Sequence, residues 1–294
     1  MRVGITGASG LIGSALADDL RAGGHEVVGI SRREAADGIV WDVAAGNLDP
    51  AALEGVDAVV HLAGESIQGR WTAAKKQRIL RSRVDSTELL ASTIASLDQP
   101  PRVVVSGSAM GYYGDRGDEV LTESAAAGTG FLADVTRAWE EAAAPIADHG
   151  VRLCTARTSI VLAANGGALP RMRTITRAYL GGPLGNGRQF WSWITLDDEI
   201  AALRFLIDNE VEGAVNLATP NPVRQREFAK RLAAVLGRPA VIPAPSVAIR
   251  TALGEMGRAL LLDSTRLQPT ALVEAGFTFE TPDLDAALGL LLDA

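Results

Sequence analysis

Residues 2–33 read R-V-G-I-T-G-A-S-G-L-I-G-S-A-L-A-D-D-L-R-A-G-G-H-E-V-V-G-I-S-R-R, and this stretch decides the fold. A short apolar strand, Val3 to Ile5, runs into three glycines spaced three apart, Gly7, Gly10 and Gly13, and then into a helix with apolar periodicity. Glycines at that spacing let the backbone turn tightly, admit a pyrophosphate with no Cβ in the way, and let the helix pack closely on the strand. The phosphates would lie at the helix N-terminus, among N–H groups that have no partner within the helix. A second apolar strand, His25 to Ile30, follows at the spacing of a βαβ unit. At its tip, where an NAD site carries an acid for the ribose 2′-OH, the chain reads Ser31-Arg32-Arg33. A hydroxyl and two guanidinium groups suit a 2′-phosphate, so the expected cofactor is NADP rather than NAD.

The same alternation continues downstream. Val40–Asp42, Ala58–Leu62 and Arg102–Ser106 read as strands, a helix is expected over about 73–97, and another over 131–149 leads to a strand at Arg152–Thr155. Apolar strands alternating with helices predict an α/β fold, a Rossmann-type doubly wound parallel sheet covered on both faces. The chain then turns glycine-rich, with N-G-G-A-L-P and L-G-G-P-L-G-N-G-R-Q, where a ligand crevice outside the carboxyl ends of the strands would lie. W-S-W-I-T-L-D-D-E-I reads as a strand ending at an Asp N-cap, with a helix over 198–208. Another strand is expected at Gly213–Ala218. Helices are expected at 223–236, 247–262 and 265–275, forming a smaller, mostly helical C-terminal lobe. The expected division is an NADP-binding domain over 1–165 and a substrate lobe over 166–294, with about 190–218 returning to the main sheet.

Composition narrows the partners. The 294 residues are 47% hydrophobic and carry a net charge of −7, so a large core is affordable and no broad basic field exists for nucleic acid or an anionic membrane. No apolar run has the length of a membrane helix, and the first residues enter a strand directly, so a cytoplasmic protein is expected. The single cysteine, Cys154, sits in an apolar strand-like run and reads as a buried structural thiol. One thiol excludes an intrachain disulfide and a multi-thiolate metal site, and no metal is expected.

Several further strings carry a resemblance: H-L-A-G-E-S-I from residue 61, S-G-S-A-M-G-Y-Y-G-D-R-G-D-E-V from residue 106, G-G-P-L-G-N-G-R-Q from residue 181, D-D at 197 and E-A-G-F at 274. With the opening turn, they resemble the extended short-chain dehydrogenase/reductase superfamily. More narrowly they resemble its atypical nucleoside-diphosphate-sugar epimerase-like group, some of whose members carry the label of cell-division inhibitor. The resemblance covers essentially the whole chain. It implies that Gly7, Ser9, Gly10, Leu11 and Ile12 hold the pyrophosphate and that Ser31 and Arg32 hold the 2′-phosphate. It further implies that Leu62, Ala63, Gly64, Glu65 and Arg83 line the cofactor. His61, just before that loop, reads as a structural imidazole. The resemblance also implies either a monomer or a homodimer built on the helices near 73–97 and 131–149.

The chemistry is less complete. The superfamily uses a Ser or Thr with Tyr-x-x-x-Lys, whose lysine makes a phenol usable at neutral pH. Ser106 and Ser108 are the candidate hydroxyls, but the following helix reads G-F-L-A-D-V-T-R-A-W-E-E, with no Tyr and no Lys. Arg137 is a candidate for the lysine's place, as a fixed cation only. Three alternatives follow: Tyr112 or Tyr113 supplies the acid, Asp115 or Glu119 does, or the protein binds NADP without turnover. Arg188, after the glycine-rich segment, is a candidate for a substrate phosphate, and Trp71, Trp191 and Trp193 for packing or ring stacking. The expected function is an NADP-dependent oxidoreductase or epimerase acting on a small polar, nucleotide-sugar-like hydroxyl or keto compound. The alternative is a redox-responsive NADP-binding protein without hydride turnover.

Overall fold

The structure, a computed structural model, describes residues 1–33 and 38–292. Its first half comprises β1 (Arg2–Thr6), α1 (Leu11–Ala22), β2 (Glu26–Ser31), β3 (Ile39–Asp42), β4 (Asn47–Leu48), α2 (Pro50–Leu53), β5 (Ala58–His61), α3 (Ala73–Ile94) and β6 (Val103–Ala109). A 3-10 turn at Met110–Tyr113 leads to β7 (Val120–Leu121), α4 (Phe131–Ala143), β8 (Arg152–Thr158), β9 (Ile160–Ala163), β10 (Gly166–Gly167) and α5 (Leu169–Arg177). There follow β11 (Phe190–Trp191), β12 (Trp193–Thr195), α6 (Leu196–Asp208), β13 (Gly213–Leu217), β14 (Val223–Arg224) and α7 (Gln225–Val235). The chain ends with α8 (Ser246–Gly257), β15 (Arg266–Leu267), α9 (Thr270–Glu274) and α10 (Leu284–Leu292).

The main sheet has the order β13-β8-β6-β5-β1-β2-β3-β4, parallel throughout except for the β3–β4 edge pair. Strand alternation divides its residues between two cores. Val3, Ile5, Ala58, Val60, Val103 and Val105 point to one face, beneath Leu16 and Leu20 of α1 and Leu203 and Leu206 of α6. Val28, Ile30, Val59 and Val104 point to the other, against Leu90 and Ile94 of α3. Both faces are therefore dry, which is why these strands read as unbroken apolar runs. Cys154 belongs to the first core. Its thiol donates to the Val211 carbonyl at 2.9 Å and burial pushes its pKa up to about 11, the inert thiol that the sequence suggested.

A third core builds the C-terminal part, from Leu162, Trp191, Trp193, Phe228, Leu232 and residues of α10. Of the strands after β8, only β13 joins the main sheet among the described residues; β12 pairs with β9 in a small separate sheet. The N-cap of α6 is Thr195, not an aspartate: its Oγ1 accepts from the Asp198 N–H at 3.1 Å. The Asp198 carboxylate instead accepts from the Glu280 and Thr281 N–H groups at 2.7 and 3.1 Å, pinning the C-terminal segment to the sheet domain. The expected helix over 265–275 is two elements, because Pro269 cannot continue a helix through its own position and Arg266–Leu267 pairs with β7. The expected helix over 247–262 breaks at Gly254, whose φ of 62° lies in the left-handed region. Among the described residues, no helix is long and apolar enough to cross a membrane.

Candidate functional site

The turn between β1 and α1 is built from backbone. Gly7 has φ of 70°, and a Cβ there would lie 2.9 Å from the Leu62 carbonyl carbon and oxygen. A Cβ on Gly13 would lie 2.3 Å from the Gly7 oxygen, so the first turn of α1 sits directly on the loop. Gly10 caps α1 and provides no side-chain acceptor, leaving the helix N-terminus with open N–H groups and with no acid in its first turn. These features suit a pyrophosphate: donors, a positive dipole end, and space only because no side chain fills it. Ser9 and Gly10 are exposed, and Leu11 and Ile12 are half-buried beside them. Ser31 ends β2, where its hydroxyl donates to the Arg33 carbonyl at 2.6 Å in a local turn. Arg32 and Arg33 are exposed there, with no carboxylate partner among the described residues. The structure thus brings Gly7, Ser9, Gly10, Leu11 and Ile12 to one loop and Ser31 and Arg32 to the adjacent strand tip.

The second wall of this groove is the segment after β5. Thr6 Oγ1 accepts from the Leu62 and Ala63 N–H groups at 3.0 and 3.1 Å, which fixes that segment against β1. With both lone pairs engaged, the Thr6 hydroxyl donates to His61 Nδ1 at 2.8 Å. His61 Nε2 therefore carries the ring proton and donates to Thr87 Oγ1 at 3.0 Å. Burial, with Arg83 nearby, lowers the His61 pKa to about 4, so the ring is neutral and structural, as expected. The Arg83 guanidinium is half-buried, lies over the Trp139 ring at 5.0 Å, and packs on Gly64. It donates to the Glu65 and Ile79 carbonyls at 3.0 and 3.1 Å. The Glu65 side chain turns away to pair with Lys75 at 2.7 Å, which holds its pKa below the ordinary carboxylate value.

A cavity of about 1330 Å³ adjoins the groove, meeting it at Arg83, which packs on Gly64, and at Gly166, which packs on Leu11. From α4, Leu132 and Thr136 line it, four residues apart on one helix face. That is the spacing of the superfamily's Tyr and Lys, and neither position carries an ionisable group here. Arg137 does not take the lysine's place: it is half-exposed on the outer face, pairing with Asp134 at 3.0 Å and Glu141 at 3.9 Å.

Ser108, Tyr112 and Tyr113 come together, but around a buried ion pair. Arg157 bonds both oxygens of Glu140 at 2.8 Å, and the Ser108 hydroxyl donates to Glu140 Oε1 at 2.6 Å. Tyr113 is fully buried; its hydroxyl donates to Asn216 Oδ1 at 2.7 Å and accepts from Arg157 at 2.9 Å. Burial pushes its pKa up to about 12, the wrong direction for an acid that must ionise readily. Tyr112 stacks on Arg157, whose carbon Cζ lies 3.6 Å from the ring centroid. None of the three lines the cavity. Asp115 and Glu119 are also occupied in the loop, by the Ser264 N–H at 3.0 Å and by Arg116 at 2.7 Å.

Sequence reasoning missed one acid. Glu199, in the first turn of α6, is completely buried; its Oε1 accepts from the Thr158 hydroxyl at 2.8 Å, and Oε2 has no partner. Burial raises its pKa to about 8. Thr158 lines the cavity, and so does Ser159, whose buried hydroxyl is also unpartnered. An acid in a first helical turn ordinarily reads as a dipole partner, so only the three-dimensional packing reveals it. Of the remaining candidates, Trp71 and Trp191 line the cavity while Trp193 is core. Arg188 is exposed and not at the cavity; its carbonyl accepts from Arg224, which pairs with Asp118 at 2.6 Å.

Comparison with known proteins agrees with this geometry. The model of the NAD dependent epimerase/dehydratase family matches residues 3–218, and Domain of unknown function (DUF1731) matches 244–291. Epimerase family protein MT2273 of Mycobacterium tuberculosis is 44% identical over 98% of this chain and 96% of its own length. Epimerase family protein SDR39U1 of Homo sapiens is 35% identical over 98% of both. A crystal structure of the human protein with NADPH superposes with a TM-score of 0.92, at 33% identity, over 100% of this chain and 99% of that one. MoeE5 in complex with UDP-glucose and NAD, at 23% identity and a TM-score of 0.77, shares the fold. The Rossmann-type sheet, the glycine turn and these matches place the chain in the NAD dependent epimerase/dehydratase family.

Proposed function

We propose that this protein is an NADP(H)-dependent oxidoreductase or epimerase whose substrate occupies the 1330 Å³ cavity. The observation that carries the reading is the open, glycine-built N-terminus of α1, with Arg32 exposed at the tip of β2 and the cavity alongside. Gly7, Ser9, Gly10, Leu11 and Ile12 would hold the pyrophosphate, and Ser31 with Arg32 the 2′-phosphate. Leu62, Ala63, Gly64 and Arg83 would flank the rest of the dinucleotide. The NADPH in the human relative supports this choice. When bound, the nicotinamide supplies a two-electron donor or acceptor.

The protein's own contribution is positioning and proton handling. Leu132 has no polar group, the Thr136 hydroxyl is committed to the Leu132 carbonyl at 2.8 Å, the Ser108 hydroxyl to Glu140, and Tyr113 is enclosed. Glu199 remains: its carboxyl holds a proton at neutral pH, and the Thr158 hydroxyl, which at rest donates to Oε1, would turn to a ligand oxygen, give it its own proton and take the carboxyl proton of Glu199 in return, leaving Glu199 a carboxylate. Screening NADPH oxidation against ketones and aldehydes tests this. Turnover is expected with at least one carbonyl compound. Glu199→Gln and Thr158→Val should lower kcat by about a hundredfold while leaving NADPH affinity unchanged.

A second reading, NADP binding without turnover, is favoured by the non-ionisable Leu132 and Thr136 on the cavity face of α4. Failure of the whole screen, with no exchange of label at a substrate carbinol carbon, would select it.

A further inference from the structure

The walls of the cavity are mainly hydrocarbon and aromatic, including Trp71, Met110, Phe131, Met172, Trp191 and Phe228. A sugar nucleotide needs the opposite lining, because each buried hydroxyl must exchange its bonds to water for bonds to protein. Two of the larger polar side chains on the wall are committed at least in part elsewhere. Gln225 accepts from the Leu184 N–H at 2.8 Å, and Arg83 is turned to backbone carbonyls. Along the glycine-rich segment and β11, Arg188 is exposed, with its carbonyl accepting from Arg224, and Trp191 lines the cavity.

The charges on the wall are unequal. Its two carboxylates are each offset by a cation, Glu255 by Lys76 and Asp263 by Arg258 at 3.4 Å. Arg173 of α5 is half-buried, lines the cavity, and has neither a hydrogen bond nor a carboxylate partner among the described residues. Arg171 on the same helix lines it as well and is exposed. The buried indole N–H of Trp191 is a further donor without an acceptor. A guanidinium without a partner beside an apolar chamber is a receptor for one anionic group attached to a hydrophobic body.

We propose that the cavity takes an elongated apolar molecule bearing a single anionic head, a carboxylate or a phosphate monoester, with Arg173 at the head and the aromatic walls around the body. This rests on reading the cavity as the substrate space beside the NADP(H) groove. A nucleoside-diphosphate sugar is the wrong class of occupant.

The test is calorimetry, with quenching of tryptophan fluorescence, on the intact protein with phenylhexanoate, phenylhexyl phosphate, phenylhexanamide and UDP-glucose, each with and without NADPH. At least one of the two anions is expected to bind about tenfold tighter than the amide and tighter than UDP-glucose. Which anion prevails distinguishes a carboxylate substrate from a phosphate ester. Arg173→Gln should abolish the preference for acid over amide and leave NADPH binding intact. Ile175→Glu, an exposed change at the cavity wall that does not disturb the core, should weaken both anions. The proposal is overturned if UDP-glucose binds tightest, if the amide matches both anions, or if none of the four binds while NADPH does. Tight binding of an anion without any binding of NADPH would leave this proposal standing and remove the cofactor reading.

Discussion

The two sides of the groove are made of different material. The side proposed for the nucleotide, at the β1–α1 turn, is backbone: Gly7 and Gly13 touch main-chain atoms where any Cβ would collide, and the helix end has no side-chain cap. The other side, at the end of β6 and on α4, is side chain: Leu132 and Thr136 face the cavity, and Ser108 and Tyr113 are tied into the Arg157–Glu140 pair. A backbone site has few ways to be built, so its chemistry follows from the fold. A side-chain site is replaced by a handful of substitutions, so a shared fold does not carry the chemistry with it.

The sharpest way to break the comparison is Gly13→Val. The collision with the Gly7 carbonyl should cost about 3 kcal/mol or more and eliminate NADPH binding, measured by chemical denaturation and calorimetry. A variant that folds and binds normally would mean the turn is not backbone-limited. On the other side, Arg157→Leu should cost about 3–5 kcal/mol by leaving Glu140 buried without its cation. Adding Glu140→Gln should recover much of that loss, and a denaturation cycle of the four proteins reads the coupling.

A smaller effect distinguishes Glu199. Its carboxyl is neutral in the fold up to about pH 8 but ionises near 4.5 when unfolded, so the folded state holds one proton more between those values. Stability from this group is fully present below the lower value and is lost as pH rises through the upper one. Relative to Glu199→Gln, the wild-type protein should lose on the order of 2–4 kcal/mol across that interval. Parallel pH profiles for the two proteins would show that Glu199 is ionised in the fold. Tyr113→Phe is milder, about 1–2 kcal/mol from the lost bonds to Asn216 and Arg157, with NADPH affinity and any turnover retained. Loss of turnover alone would restore Tyr113 as the acid.

The same contrast explains what could be read from the sequence. Helix α1 appears over Leu11–Ala22 as its periodicity predicts, and the sheet follows from strands whose two faces are both buried. Helices α5 and α10 escaped notice because one lies among glycine-rich segments with no side-chain cap and the other, L-D-A-A-L-G-L-L-L, is nearly apolar on all sides, so periodicity is faint. Pro269 was a legible stop within the expected helix over 265–275. At the candidate site, the glycine spacing makes the β1–α1 turn legible, whereas the surroundings of Tyr113 and Arg188 are not legible, for a shared reason. Which way a side chain points depends on partners far along the chain, Asn216 for Tyr113 and Arg224 for the segment of Arg188. Glu199 and Arg173 gave no local signal, since one is defined by burial and the other by the absence of a partner.

NADP(H) binding at this turn and strand tip is what the reading of the whole groove depends on. Titrating NADPH and NADH calorimetrically into the wild-type protein and Arg32→Ala tests it most directly. The wild-type protein should prefer NADPH by about tenfold to a hundredfold, and the variant, still folded, should bind the two equally. Equal binding of both dinucleotides by the wild-type protein, or no binding of either, would contradict it.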